Sequence, residues 1–213
     1  MLDKARVLLF DHALTPDGWA RDVALHLEGG RIVSVVPQAG LPAGAERIAG
    51  AALPGLPNLH SHCFQRGMAG LAERRGPAAD SFWTWRQVMY RFLERLDPED
   101  VEAIAAMAMV EMLEGGFTSL AEFHYLHHGP DGVPYDDPAE LAGRIVSAAC
   151  QTGIGLTLLP VFYAHGGFGG AAPAPGQRRF ITTPDRFLAL HAAAARAVAA
   201  CDGARIGVAP HSL

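Results

Sequence analysis

Short apolar or alternating runs open the chain. RVLLFDHAL, VALHLEG and RIVSVVP are separated by the turn signals TPDGW and Gly29-Gly30, a pattern of short strands and tight turns over residues 1–55. A module of about 50 residues is small for a hydrophobic core of its own. Past the breaker Pro54-Gly55 the period changes. LPNLHSH is a short apolar strand that ends in histidines, and a helical stretch follows from Ser81 to Leu96. Asp97-Pro98-Glu99-Asp100 marks a helix start: an Asp N-cap, Pro at the first helical position, and acids where the helix dipole favours them. The helix it opens, VEAIAAMAMVEMLE, is apolar on most faces, which predicts burial, and Gly115-Gly116 stops it.

Strands and helices then alternate. Strand FTSLAEFHY leads through loop LHHGPDGVPYDD to helix PAELAGRIVSAACQT, closed by Gly153, and strand IGLTLLPVF. A loop of about 20 residues, YAHGGFGGAAPAPGQRRFITT, precedes helix PDRFLALHAAAARAVAAC and a last strand, ARIGVAP. The strands are apolar throughout, so both their faces are covered, which predicts a parallel sheet with helices outside. An open doubly wound sheet and a (β/α)8 barrel both accept this order. The first strand lacks the GxGxxG turn of the open-sheet nucleotide binders. Polar groups instead end three strands, His60 and His62, then His124 and Tyr125, then His211, and in a barrel such positions converge on one mouth. The barrel is the favoured reading. A whole barrel takes eight units and typically about 250 residues, whereas residues 56–213 hold four strands and three crossovers. The expected fold is therefore α/β: an incomplete (β/α)8 TIM barrel of about four strands over 56–213, preceded by a β-sandwich-like module over 1–55.

Composition narrows the function classes. Half of the 213 residues are hydrophobic (50%) and 18% are charged, which predicts a soluble globular protein and excludes a disordered tail. A formal net charge of −5 gives no footprint for nucleic acid. No apolar run reaches the ~18 residues of a membrane helix, and the N-terminus lacks a secretory pattern. Cys63, Cys150 and Cys201 are odd in number and far apart, which predicts neither a disulfide framework nor a CxxC metal site and points to a reducing cytoplasm.

His60-Ser61-His62 is the sharpest chemical feature. On a strand, positions two apart point the same way, so both imidazoles can face one metal ion. A catalytic zinc takes about three protein ligands and a water, so the pair needs completion, and His124 or His211 are available at other strand ends. Other polar residues have plain readings. Arg86 is a surface or stacking arginine, Tyr125 a strand-end anchor, Gln65 a loop residue and His211 a strand-end hydrogen-bonding group. His127 and His128 read as solvated or as supporting a site from behind, and Trp83 and Trp85 as wedging their helix into the core. Cys63 reads as packing. Loop 163–179 has the length of a lid or mobile segment, and its Gln177-Arg178-Arg179 either approaches an acidic substrate or is solvated.

LPGLPNLHSHCFQRGMAG, with DSFWTWR, AEFHYLHH, GQRRF and APHSL, resembles the amidohydrolase superfamily and, within it, the formimidoylglutamate deiminases of histidine degradation. The likeness runs in order through essentially the whole chain. HSH is superfamily-wide, whereas FQRGMAG, SFWTWR and FHYLHH are more specific. The resemblance implies a (β/α)8 barrel with one zinc ion and an N-terminal β module completed by C-terminal strands. It implies hydrolytic deimination of N-formimidoyl-L-glutamate to N-formyl-L-glutamate and ammonia. His60 and His62 become two zinc ligands, in place of a completion by His124 or His211. A further His and an Asp from strands five and eight, with the acid–base groups, are expected beyond Leu213, so the 213 residues alone would hold zinc weakly and be inactive. Arg86, Gln65, Tyr125 and His211 match substrate-binding positions, and Arg is the side chain whose fork fits a carboxylate of this dicarboxylate substrate. A homodimer is implied for the full-length protein. Two rivals are a superfamily deaminase acting on an aromatic base such as guanine or cytosine, and a non-catalytic fragment.

Overall fold

The structure is a computed structural model that describes residues 5–73 and 81–211; the last two residues of the APHSL motif lie outside them. The chain divides into two compact units, Met1–Gly55 and Leu56–Leu213.

In the first unit, β1 (Arg6–Thr15), β2 (Gly18–Glu28), β3 (Arg31–Val36) and β4 (Glu46–Ala52) form one sheet in the order β3-β2-β1-β4. Gly29 and Gly30 carry φ of 55° and 76°, the left-handed pair that a two-residue hairpin between β2 and β3 needs. β4 was not visible in the sequence: ERIAGAA is poor in β-formers. It is held in parallel with β1 across a register shift near Asp11. There the Asp11 carboxylate accepts from Arg47 (2.7 Å) and from the Gly50 N–H (3.0 Å), and these bonds hold its pKa below the usual carboxylate value.

The second unit is a parallel sheet with helical crossovers. β5 (Leu56–Ser61), β6 (Phe117–His124), β7 (Gly155–Tyr163) and β8 (Ala204–Ile206) lie in chain order, and β9 (Ala209–His211) also pairs with β7. The predicted strand ARIGVAP is thus broken at Gly207-Val208, where the Gly207 N–H donates to Leu158 O. The order and direction are those of an incomplete (β/α)8 barrel. Ser81 and Thr84 form a reciprocal capping box that starts α1 (Phe82–Leu93), and Asp97 and Asp100 form another that starts α2 (Pro98–Glu114). α3 (Glu140–Thr152) ends at Gly153, whose φ of 78° makes the left-handed cap. Thr183 caps α4 (Pro184–Ala199). Expected burial of α2 holds for one side only. Val101, Ala105 and Met109 are in the core, but Met107 and Val110 are exposed, because α3 and the 3-10 turn Cys63–Met68 pack on one flank of the helix.

The cysteines correct the sequence expectation. Cys150 in α3 and Cys201 after α4 are joined as a disulfide, with Cα atoms 5.8 Å apart. Successive crossover helices lie side by side, so residues 51 apart in sequence meet, which spacing alone could not show. The argument for a reducing compartment falls with it. Cys63 is buried and free. Closing a loop of this size stabilises a fold by about 2–4 kcal/mol. Cys201→Ser, or dithiothreitol, should lower the free energy of unfolding in urea by that amount, and thiol titration of the unfolded, unreduced chain should find Cys63 alone.

Candidate active site

The histidine pair is aimed by an irregularity in β5. Asn58 pairs with Leu120 and Ser61 with Glu122, so two residues of β5 oppose one of β6. A bulge of this kind bends a strand and redirects its side chains. After it the chain leaves the sheet into the 3-10 turn Cys63–Met68. His60 Nε2 and His62 Nε2 face each other at 3.0 Å, and Phe123 O lies 3.0 Å from His62 Nδ1. A carbonyl accepts, so Nδ1 carries the proton and Nε2 presents its lone pair. Burial, opposed by the bond to Phe123 O and assisted by His60, pushes the His62 pKa down, towards the neutral form that ligates metals. Two imidazole nitrogens bound to one tetrahedral zinc at about 2.0–2.1 Å stand roughly 3.3 Å apart, so the pair fits a single ion. No group of three or more His, Cys, Asp or Glu side chains converges among the described residues.

His60, His62, Gln65, Arg86, Tyr125 and His211 all line one cavity of about 870 Å³. Gln65 Nε2 donates to Tyr125 Oη (3.1 Å), and the Tyr125 hydroxyl points to Met89 Sδ (3.5 Å). Burial pushes the Tyr125 pKa up, so its hydroxyl stays protonated. Arg86 lies between two rings, its guanidinium 5.9 Å from Trp83 and 5.3 Å from Tyr90, a cation–π rail that restricts its direction. His211 stacks on Tyr163 at 4.2 Å, and burial and the Arg86 charge push its pKa down. Among the described residues, none that lines the cavity is acidic. The cavity offers one guanidinium, neutral donors and an aromatic wall, which suits an anionic ligand.

Several readings narrow or fail. Of the two readings of His127 and His128, the solvated one fails: both are buried, their ring Nε2 atoms bonded to Val161 O and Ile181 O, both at 2.9 Å. Trp83 is 65% exposed, so it does not wedge α1 into the core, whereas Trp85 packs partly against it; both line the cavity. Gln177 and Arg179 are buried and face neither substrate nor solvent. Loop 163–179 is folded on itself: Gln177 Nε2 donates to Tyr163 Oη (2.8 Å) and Gly166 O (3.0 Å). β6 alternation sends Phe123 to the cavity and His124 to the other face, so His124 does not line the cavity with the histidine pair. Tyr163, Tyr90 and Phe180 also line the cavity and were not singled out from sequence. Tyr163 ends its strand as His124-Tyr125 ends β6, and that parallel was the available signal.

This geometry has known counterparts. A family model described as the amidohydrolase family matches residues 51–199, and that range contains the bulged β5, its histidine pair and the three crossovers. The chain belongs to the amidohydrolase family. Residues 6–49 match a model described as "Formimidoylglutamate deiminase HutF, N-terminal domain". The chain is 51% identical over 203 residues to a formimidoylglutamate deiminase of Pseudomonas aeruginosa, covering 95% of this chain and 45% of that protein. A crystal structure of an amidohydrolase from Brucella melitensis superposes with a TM-score of 0.92 at 52% identity, over 97% of this chain and 46% of that one. An adenosine deaminase from Xanthomonas campestris, solved with bound zinc, shares the fold at TM-score 0.65 and 18% identity, over 96% of this chain and 42% of that one. The chain thus spans about half the length of these relatives.

The buried imidazoles of this amidohydrolase chain make its stability pH-dependent. His124 Nε2 and His127 Nδ1 have no hydrogen-bond partner, and burial holds His124 well below its ordinary value and His127 at about 4. A histidine with a depressed folded pKa takes up its proton first in the unfolded state. Full stability is therefore present above pH ~6.5 and is lost as the pH falls towards 4, by about 3 kcal/mol for a group of this shift. Urea unfolding between pH 4 and 7.5 should show this slope, and His127→Gln should flatten it.

Proposed function

We propose that this chain is the part of a zinc-dependent hydrolase that converts N-formimidoyl-L-glutamate and water into N-formyl-L-glutamate and ammonia. The observation that carries the reading is the placement of the His60–His62 pair and Arg86 around one cavity whose described lining residues include no acid. The 51% identity to a protein named for that reaction supports it. His60 and His62 would hold the ion through Nε2, with the remaining ligands and acid–base groups supplied by the portion of the relatives that this chain does not span. A zinc ion bound there supplies hydroxide at neutral pH and polarises the carbon to be attacked.

The chain's own residues bind and orient. Arg86 is held by Trp83 and Tyr90, so a carboxylate meeting its fork finds a donor already directed, and little side-chain freedom is lost on binding. The Gln65 amide and Tyr125 hydroxyl, tied to each other beside His62, offer neutral donors nearer the metal pair, where the formimidoyl group would lie. His211, stacked on Tyr163, adds a further ring donor to the same cavity. Fixing both ends of the substrate in this way converts binding into orientation at the reacting carbon.

A second reading is supported by the aromatic wall of Phe82, Trp83, Trp85 and Tyr90, which could stack a purine or pyrimidine: deamination of an aromatic base. The two readings part at Arg86. Losing a charge-assisted hydrogen bond costs about 1.5–3 kcal/mol, so Arg86→Ala in the enzyme with its complete ligand set should lower kcat/KM for formimidoylglutamate by roughly 10- to 100-fold. An unchanged value, or turnover of guanine or cytosine unaffected by the same substitution, would favour the base deaminase.

A further inference from the structure

On the face of the sheet opposite the cavity sits a carboxyl group that the proposed reaction does not use. Glu122 is 1% exposed. Its Oε1 accepts the Cys63 N–H at 2.8 Å, and its Oε2 has no hydrogen-bond partner among the described residues. Burying a carboxyl group with so few partners is costly, and an apolar residue would fill the same layer without that cost. The arrangement around it shows what the oxygen does. Ser61 is the last residue of β5 in register, and its partner is Glu122. One residue later the strand has left the ladder, and the Cys63 N–H opens the 3-10 turn with no strand to receive it. His62 lies between these two points, and the neighbouring Phe123 carbonyl takes its Nδ1. Glu122 and Phe123 therefore grip His62 twice, through the backbone that follows it and through its ring.

We propose that Glu122 is a positioning residue for the metal pair: its buried carboxyl oxygen captures the Cys63 N–H and so fixes where β5 ends and where His62 Nε2 points. The inference rests on the reading of His60 and His62 as metal ligands. What matters is an acceptor oxygen at that place. Glutamine provides one and leucine does not, although the three side chains have similar bulk. Removal of a group that orients a metal ligand typically weakens metal binding by 10- to 100-fold.

The test uses the enzyme with its complete ligand set and zinc and cobalt ions as probes, their affinities measured by competition with a chromophoric chelator. Glu122→Gln should bind within about threefold of the unaltered chain, and Glu122→Leu at least about tenfold more weakly while keeping its circular dichroism spectrum. The inference is overturned if Glu122→Leu binds as the unaltered chain does, or if Glu122→Gln loses as much as Glu122→Leu. Amide hydrogen exchange of the unaltered chain decides independently should Glu122→Leu fail to fold: Cys63 should exchange as slowly as core amides, and exchange at the rate of exposed turns overturns the inference. His62→Ala separates the two readings. If it binds the ions as tightly as the unaltered chain, the metal reading fails and takes this inference with it. If binding is lost in His62→Ala yet kept in Glu122→Leu, only the role of Glu122 fails.

Discussion

Parallel pairing of β5, β6 and β7 forces their carboxyl ends to one side of the sheet, and the candidate site depends on that alignment. His60 and His62 end β5, Tyr125 follows β6, and Tyr163 ends β7 with His211 stacked on it. Residues far apart in sequence meet there because each crossover returns the chain to the same starting edge, so each strand finishes at the same level. The bulge in β5 is the one departure from regular pairing that the histidine pair requires. The two imidazole nitrogens converge at 3.0 Å where that bulged strand ends.

The same alignment sorts charge. Among the described residues no carboxylate lines the cavity, and the buried acid Glu122 lies behind the sheet with one oxygen directed at the backbone. Burial keeps His62 and His211 on the neutral side of their titration. Arg86 is the guanidinium of the cavity, and two aromatic rings flank it without neutralising it. Other arginines of this unit are paired elsewhere, Arg66 with Glu111 and Arg144 with Glu99, Glu102 and Glu140. An incoming anion therefore meets one directed donor in an apolar surround, where the attraction is stronger than in water.

Much of this was legible as periodicity and punctuation. The strands of the sheet, the Asp97 cap, the glycine stops after α2 and α3 and the alternation that implies a barrel are local signals, and local signals survive in a sequence. The six residues named for the site lie around one cavity, although His60-Ser61-His62 was the sole group among them that its own spacing marked; the rest came through resemblance. What failed depends on tertiary neighbours. His127, His128, Gln177 and Arg179 look like loop polarity, yet they are buried because loops that cross a sheet end must satisfy their backbone groups from inside. The Cys150–Cys201 pair and the Glu122 clamp join residues 51 and 59 positions apart, and no window of sequence contains both partners.

Arg179 shows how such hidden residues support the site. The last carbonyls of a helix lack intrahelical donors, and Arg179 Nη1 donates to that of Leu93, the last residue of α1, and to that of Leu96 just beyond it. Its Nε donates to His128 O at 2.8 Å, and its own carbonyl accepts the N–H groups of His127 and His128. One buried guanidinium thus fastens the carboxyl end of α1 to the segment that follows β6. The same helix carries Arg86 and Tyr90, and a side chain in place of Gly176 would collide with the Tyr90 ring, so the loop after β7 closes tightly against it. The distance between Arg86 and the histidine pair is therefore set by polar bonds and close backbone packing. Wholly apolar packing would tolerate sliding. Hydrogen bonds to fixed carbonyls do not, and the proposed dicarboxylate substrate, held at both ends, would need that fixed separation.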